Sequence, residues 1–163
     1  QLGHRQIGLI IGPEANSECQ LRLSACREWF TEQGLPEPLV MVGDFSAEAG
    51  RQAASQLLSQ HPEITALFCF NDHMAIGALH HAKQVGKRVP EQLSIVGFDD
   101  IDAAAWAHPP LTTVAVDKRE LGRDAFQLLM NDESERNLLL PVRLVARGSS
   151  VTDSDALRLR LAP

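Results

Sequence analysis

Six side chains of unlike chemistry stand just beyond apolar runs: Arg22, Phe45, Asn71, Asp72, Asp99 and Asp100. Asn71 and Asp72 close the uncharged run 64–70, and Asp99 and Asp100 close the run 93–98. Phe45 follows Gly43-Asp44 at the end of 39–42, and Arg22 lies in the early helical turns after Gly12-Pro13 ends the run 6–11. A forked cation, an aromatic face, an amide and a carboxylate are the mixture that binds a polyhydroxylated small molecule. The carboxylate and amide take hydroxyl hydrogen bonds, the guanidinium donates in a fork, and a ring covers the apolar face of a sugar. Each residue also has a plainer role when taken singly. Asp72 fits a helix N-cap, Asp100 a solvated loop, Phe45 a core position and Arg22 a surface ion pair. The case for a site rests on their equivalent places in the chain.

Those places follow from the hydropathy pattern. Apolar runs of strand length begin near residues 7, 39, 66 and 94, each about one strand–helix unit from the next. Between them lie amphipathic helical stretches. Cys19, Leu23, Cys26 and Phe30 form one seam, and Gly50, Ala53, Ala54, Leu57 and Leu58 another. Ser17 with Gln20 and Asp117 with Glu120 have capping-box spacing, and Ser46 can cap the second helix. Gly34 and Gly86 mark helix ends. Residues 99–109 read as a linker holding an exposed Trp106, 111–116 as a fifth strand, and 117–130 as a helix. A polar loop follows at 131–137, then a partly alternating stretch, and 157–161 could pair as a strand. The fold class is therefore α/β, a doubly wound parallel sheet with helices on both faces. In such a sheet ligands bind at the carboxyl ends of the strands, where these residues stand.

Composition narrows the function. The chain has 163 residues, 44% of them hydrophobic, with a formal net charge of −6. That charge argues against bulk electrostatic binding to nucleic acid or an anionic membrane. No apolar stretch reaches the roughly 18 residues of a membrane span. The chain opens on Gln1 without a signal-peptide pattern, as expected of a piece cut from a longer protein. Cys19 and Cys26 are too far apart on one helix, about 10 Å, for a disulfide. With an odd third thiol at Cys69 and no CxxC, the expectation is reduced cysteines in a cytoplasmic protein. His4, His61, His73, His80, His81 and His108 show no metal-ligand spacing. GxSxG, GxxxxGK[ST] and GxGxxG are absent, so neither a metal nor a cofactor is expected.

In order along the chain, LGHRQIGLIIGP, LRLSAC, GDFS, FNDHMAIGAL, VPEQLSIVGFDD, PPLTTVAVD and LPVRLVARGSS resemble the carboxyl-terminal half of the effector-binding core of LacI/GalR-family bacterial transcription repressors. The resemblance covers residues 2–150. It implies a two-lobed core like that of periplasmic sugar-binding proteins, with an effector in the cleft. Residues 1–112 would be the carboxyl-terminal lobe, 113–150 the return crossing with elements of the other lobe, and 151–163 a tail. It implies that Arg22, Phe45, Asn71 and Asp99 contact the effector, a sugar or sugar derivative being expected. Operator DNA would be bound only through an amino-terminal helix-turn-helix that this stretch does not contain. Val116 departs from the polar residue some sugar-responsive members carry there.

A homodimer is also expected. The helix after Asp72 carries Ala75, Ala78, Leu79 and Ala82 in one stripe, with Met74 and Ile76 off it. A helix apolar beyond one stripe is buried by more than its own sheet. Met74, Ile76, Leu79, Ile101 and Trp106 are the expected interface. Two other readings compete: a transport-type sugar-binding protein, and a Mg²⁺-dependent phosphoryl-transfer enzyme using Asp99 and Asp100. The enzyme would need more convergent acids and a positioned lysine, and the nearest, Lys118, opens a different helix.

Overall fold

The computed structural model describes residues 3–130 and 138–150. Six strands, β1 (Ile7–Ile11), β2 (Leu39–Val42), β3 (Ala66–Cys69), β4 (Ser94–Phe98), β5 (Thr112–Val116) and β6 (Val142–Val145), form one sheet in the order β2-β1-β3-β4-β5-β6. The first five are parallel; β6 pairs antiparallel with β5, from Thr113↔Val145 to Val116↔Val142. Helices α1 (Ser17–Glu32), α2 (Ala47–Gln60), α3 (Asp72–Gln84), α4 (Asp102–Trp106) and α5 (Lys118–Met130) fill the connections. Right-handed crossovers put α1 on one face and α2 with α3 on the other. β1 steps to one side and β3 returns to the other, so the strand order reverses between β1 and β3.

The core is continuous. Leu9, Ile10, Ile11, Leu57, Leu67, Met74, Leu93, Ile95 and Leu111 are each almost fully buried. Each such side chain contributes about 1.5–3 kcal/mol of transfer free energy. Helices α2 and α3 lie unusually close because glycine stands at both contact points. A Cβ on Gly50 would collide with the Met74 backbone, and one on Gly77 with the Ala47 carbonyl.

Local signals were met with small offsets. Ser46 caps α2 and Asp117 Oδ1 accepts from the Arg119 and Glu120 amides as expected. The α1 cap is Asn16 and not Ser17: Asn16 Oδ1 accepts from the Cys19 amide at 2.9 Å, while Gln20 donates back to the Glu14 carbonyl. Asn16 has the extended backbone a cap needs, φ −81° and ψ 117°. The supposed linker 99–109 contains the short helix α4. A boundary at 112/113 falls inside β5, whose Thr112–Val114 pair with β4. The loop 131–137, the tail 151–163 and the strand suggested at 157–161 lie outside the described residues.

The interface expectation needs correction at two residues. Met74 is 0% and Leu79 5% exposed within this one chain. The second apolar stripe of α3 exists because α2 covers it, and the Met74 sulfur lies against Gly43. Ile76 and Ile101 are half-buried and Trp106 is 80% exposed.

The α2–α3 contact yields a stability prediction. Gly77→Ala should lower unfolding free energy by about 1–3 kcal/mol or more, because backbone and not a flexible side chain blocks the methyl. Gly122→Ala, on an open part of α5, should instead stabilise by about 0.5–1 kcal/mol. Urea unfolding of the two variants measures both.

Candidate functional site

Four loops meet at the carboxyl edge of β2, β1, β3 and β4. The β2 tip is bent by Phe45, whose φ is 71°. Its ring lies over Gly12 at the β1 tip, in space that a Cβ there would occupy. Gly12 thus lets an aromatic cover the strand end. Asn71, at the β3 tip, ties these loops to α3. Its Oδ1 accepts from the Met74 amide and its Nδ2 donates to the Phe45 carbonyl, both at 2.9 Å.

Arg22 reaches the same edge from α1. Its Nη1 donates to the Phe70 carbonyl at 2.7 Å, and its guanidinium carbon sits 3.7 Å from the Phe98 ring centroid and 5.1 Å from that of Phe70. Two rings and a carbonyl hold the cation face-on, a placement worth about 0.5–2 kcal/mol. Phe98 is followed by Asp99. Phe45, Asn71, Phe70, Arg22, Phe98 and Asp99 therefore form one continuous ridge.

Asp99 differs from its neighbours. It is half-buried, with a φ of 110°. Burial, then the charge of Asp72, pushes its carboxyl above the usual range, against the opposing pull of Lys118, Arg22 and His73. Among the described residues no donor bonds its carboxylate. Asp72 is the opposite case. It is 0% exposed, accepting from Thr113 Oγ1 at 2.5 Å and from the Ile101 amide at 2.9 Å. Burial is the main cause raising its carboxyl.

The four expected site residues are thus brought together, but their roles differ from the plainer readings. Asn71 is the α3 cap, with φ −150° and ψ 168°, and is 8% exposed. Asp72 is a buried cross-link rather than that cap. Asp100 is no solvated loop residue: it pairs with Arg147 Nη2 at 2.6 Å. Sequence reasoning gave no site role to Phe98 or His73, and weighed Lys118 only against an enzyme reading. Lys118 follows the β5 tip beside β4. Concavities of about 450–620 Å³ occur along α1, beneath Trp29 and at the foot of α2 and α3, and none of the three is lined by Phe45, Asn71 or Asp99.

The carboxyl of Asp99 gives a pH prediction. Because its folded pKa lies above the unfolded value, its ionised form opposes folding above that folded pKa, and the cost disappears as pH falls through it. Asp99→Asn should therefore raise Tm at pH 7, and the gain should shrink toward pH 4. Thermal melts of the two proteins across that range would show it.

Known proteins share this fold. Residues 1–150 match the periplasmic binding protein-like domain. The transcriptional repressor CytR of Escherichia coli K12 is 41% identical over 155 residues, covering 91% of this chain and 46% of the repressor. PurR of Photobacterium profundum is 37% identical over 137 residues, covering 83% and 41%. Among solved structures, the lac repressor dimer bound to operator and the anti-inducer ONPF superposes with a TM-score of 0.86 at 35% identity, covering 93% of this chain and 54% of that one. The regulator CelR in complex with cellobiose gives 0.84 at 34%, covering 91% and 47%. The chain spans about half the length of the curated relatives it matches. It belongs to the periplasmic binding protein-like family, in the form that LacI-type repressors carry as their effector-binding core.

Proposed function

We propose that this chain is the effector-sensing and dimerising portion of a LacI-type transcriptional regulator, and that Arg22, Phe45, Asn71 and Asp99 contact a small polar effector, a sugar or sugar derivative. The observation that carries this is the Asp99 carboxylate: half-buried, without a donor among the described residues, and beside the guanidinium of Arg22 and the Phe98 ring. An unmet acceptor at the β4 tip, one strand from the point where strand order reverses, is what a hydroxyl-bearing ligand would satisfy. Arg22 supplies further N–H groups beyond the one given to Phe70, and the Phe45 ring supplies an apolar face. Asn71 has both polar atoms engaged already, so its contact would use only its second N–H or second lone pair. The cellobiose complex of CelR supports the sugar class.

The regulator acts in the cytoplasm and reaches operator DNA through an amino-terminal helix-turn-helix outside this chain, as the relatives' description as repressors supports. No helix among the described residues is long and apolar enough to cross a membrane. Residues after β5 complete the other lobe of the core. In support, no residue of α5 is buried, and Phe126, Leu129 and Met130 are 63%, 77% and 68% exposed. The phosphoryl-transfer reading loses its paired acids, since Asp100 is engaged by Arg147 while Asp99 is not.

The experiment is isothermal calorimetry on the intact protein, after a thermal-shift screen of sugars, sugar phosphates and nucleobases. Asp99→Ala should weaken the selected compound ten- to hundredfold, from loss of about 1.5–3 kcal/mol in a charged hydrogen bond. Normal affinity in Asp99→Ala would overturn the assignment. The 163-residue chain alone should bind that compound weakly. It offers one wall, whereas buried ligands lose about 70–90% of their surface to a complete pocket. Sub-micromolar binding to it would show that one wall suffices.

The second copy would pair across the face around Ile76, Ile101 and Trp106, continuous with α4. Light scattering at tens of micromolar should give a dimer, and Trp106→Ala should shift it toward monomer. A monomeric wild type would remove this part.

A further inference from the structure

Asp99 and Asp100 are consecutive non-glycine residues with φ of 110° and 50°. Such backbone persists only where the surroundings hold it, because each residue costs about 1–3 kcal/mol. The holding groups can be named. The Asp99 amide donates to the Val114 carbonyl at 2.9 Å, and the Ile101 amide donates to Asp72 Oδ2 at 2.9 Å. Between them the Asp100 side chain is gripped by Arg147 at 2.6 Å, with only 20% and 22% of the two side chains exposed.

Arg147 is itself fixed. Its Nη1 donates to the Leu111 carbonyl at 2.8 Å, and its amide donates to Thr112 Oγ1 at 2.9 Å. The next residues anchor it further: buried Ser149 donates to the Ile95 carbonyl and accepts from the Thr112 amide, while its own carbonyl accepts from the Ile95 amide. So the segment leaving β6 is bolted across β4 and β5, and its one arginine reaches the turn that carries Asp99.

We propose that Arg147 is a positioning residue for the strand-tip site: through Asp100 it holds the left-handed turn that presents the Asp99 carboxylate, so the segment returning from β6 sets how well the site binds a hydroxyl-bearing small molecule. The binding half of this statement rests on the function proposed above. The positioning half stands on the geometry of the ligand-free chain.

Two measurements separate them. The first follows the Asp99 carboxyl by carbon-13 NMR titration in the ligand-free 163-residue chain, comparing wild type with Arg147→Met at a temperature where both are folded. If Arg147 holds the turn, its loss lets Asp99 relax toward water, and the Asp99 pKa falls. A direct charge effect has the opposite sign, because removing a cation raises a carboxyl pKa. An unchanged or raised pKa therefore overturns the positioning role. Arg147→Gln, which can still donate to the Leu111 carbonyl, is the second variant should Arg147→Met not fold.

The second measurement is calorimetry on the intact protein with the tightest binder among ribose, galactose, cellobiose, glucose 6-phosphate and adenine. Arg147→Met should weaken it at least tenfold although the residue touches no strand-tip group but Asp100. Arg147→Met and Asp100→Asn together should lose no more than either alone, because the pair acts as a unit. Wild-type affinity in Arg147→Met, or additive losses, would overturn the coupling. Tight binding that survives Asp99→Ala would instead sink the assignment of the site and leave the NMR result to judge the turn.

Discussion

A single buried carboxylate holds the functional edge together. Asp72 begins α3 at 0% exposure, yet its two oxygens reach β5 through Thr113 and the loop after β4 through the Ile101 amide. Burying a carboxylate costs several kcal/mol unless its lone pairs are met. Here both are met, by groups 41 and 29 residues away. The sequence makes room for it: a Cβ on Gly97 would collide with Asp72 Oδ1. Truncating a partner of such a group leaves it unsatisfied, which costs about 1–3 kcal/mol and loosens three elements at once.

Around that anchor, unfavourable backbone is concentrated where ligand chemistry is. The non-glycine residues of positive φ among those described are Phe45, Asp99 and Asp100, all on the edge formed by the β2 and β4 tips. Each is over-determined. Asn71 holds the Phe45 carbonyl, Asp72 holds the Ile101 amide, and Arg147 holds Asp100. The polar side chains beside the site thus do two things. They end strands and start helices, and they keep Phe45 and Asp99 in conformations that an unsupported loop would leave.

This double use explains what sequence could reveal. The strands and the helix seams were legible because burial on a sheet imposes a period that residue types show directly. The caps were displaced by one residue twice, to Asn16 from Ser17 and to Asn71 from Asp72. Both members of each pair are good caps by type, and only the backbone path decides which has extended φ and ψ. The second apolar stripe on α3 was visible, but periodicity does not say whether a second copy or α2 covers it. Gly50 and Gly77, the residues that let α2 approach, carry that information only in three dimensions. Likewise the site residues were found by their common place at strand ends, whereas the pair Asp100–Arg147, 47 residues apart, had no local signature.

The same sheet contains two kinds of surface, and the contrast bears on how the site works. From β1 to the start of β5 one continuous apolar core is covered within this chain, with Leu21, Trp29, Val42, Val85 and Trp106 left exposed around it. Beyond Val116 coverage stops: α5 buries nothing, and Val142 and Leu144 of β6 are 57% and 64% exposed. Yet coverage returns at once after β6, where Ser149 is fully buried between β4 and β5. The chain therefore leaves the packed lobe along β5 and re-enters it along the segment from Arg147 to Ser150. In the chain, α5 and β6 lie between these two points. One carries Thr113, which bonds Asp72, and the other carries Arg147, which bonds Asp100. Both points are thereby tied, through side-chain contacts, to the turn that bears the open carboxylate. The open carboxylate therefore sits between the point where the chain leaves the packed lobe and the point where it returns.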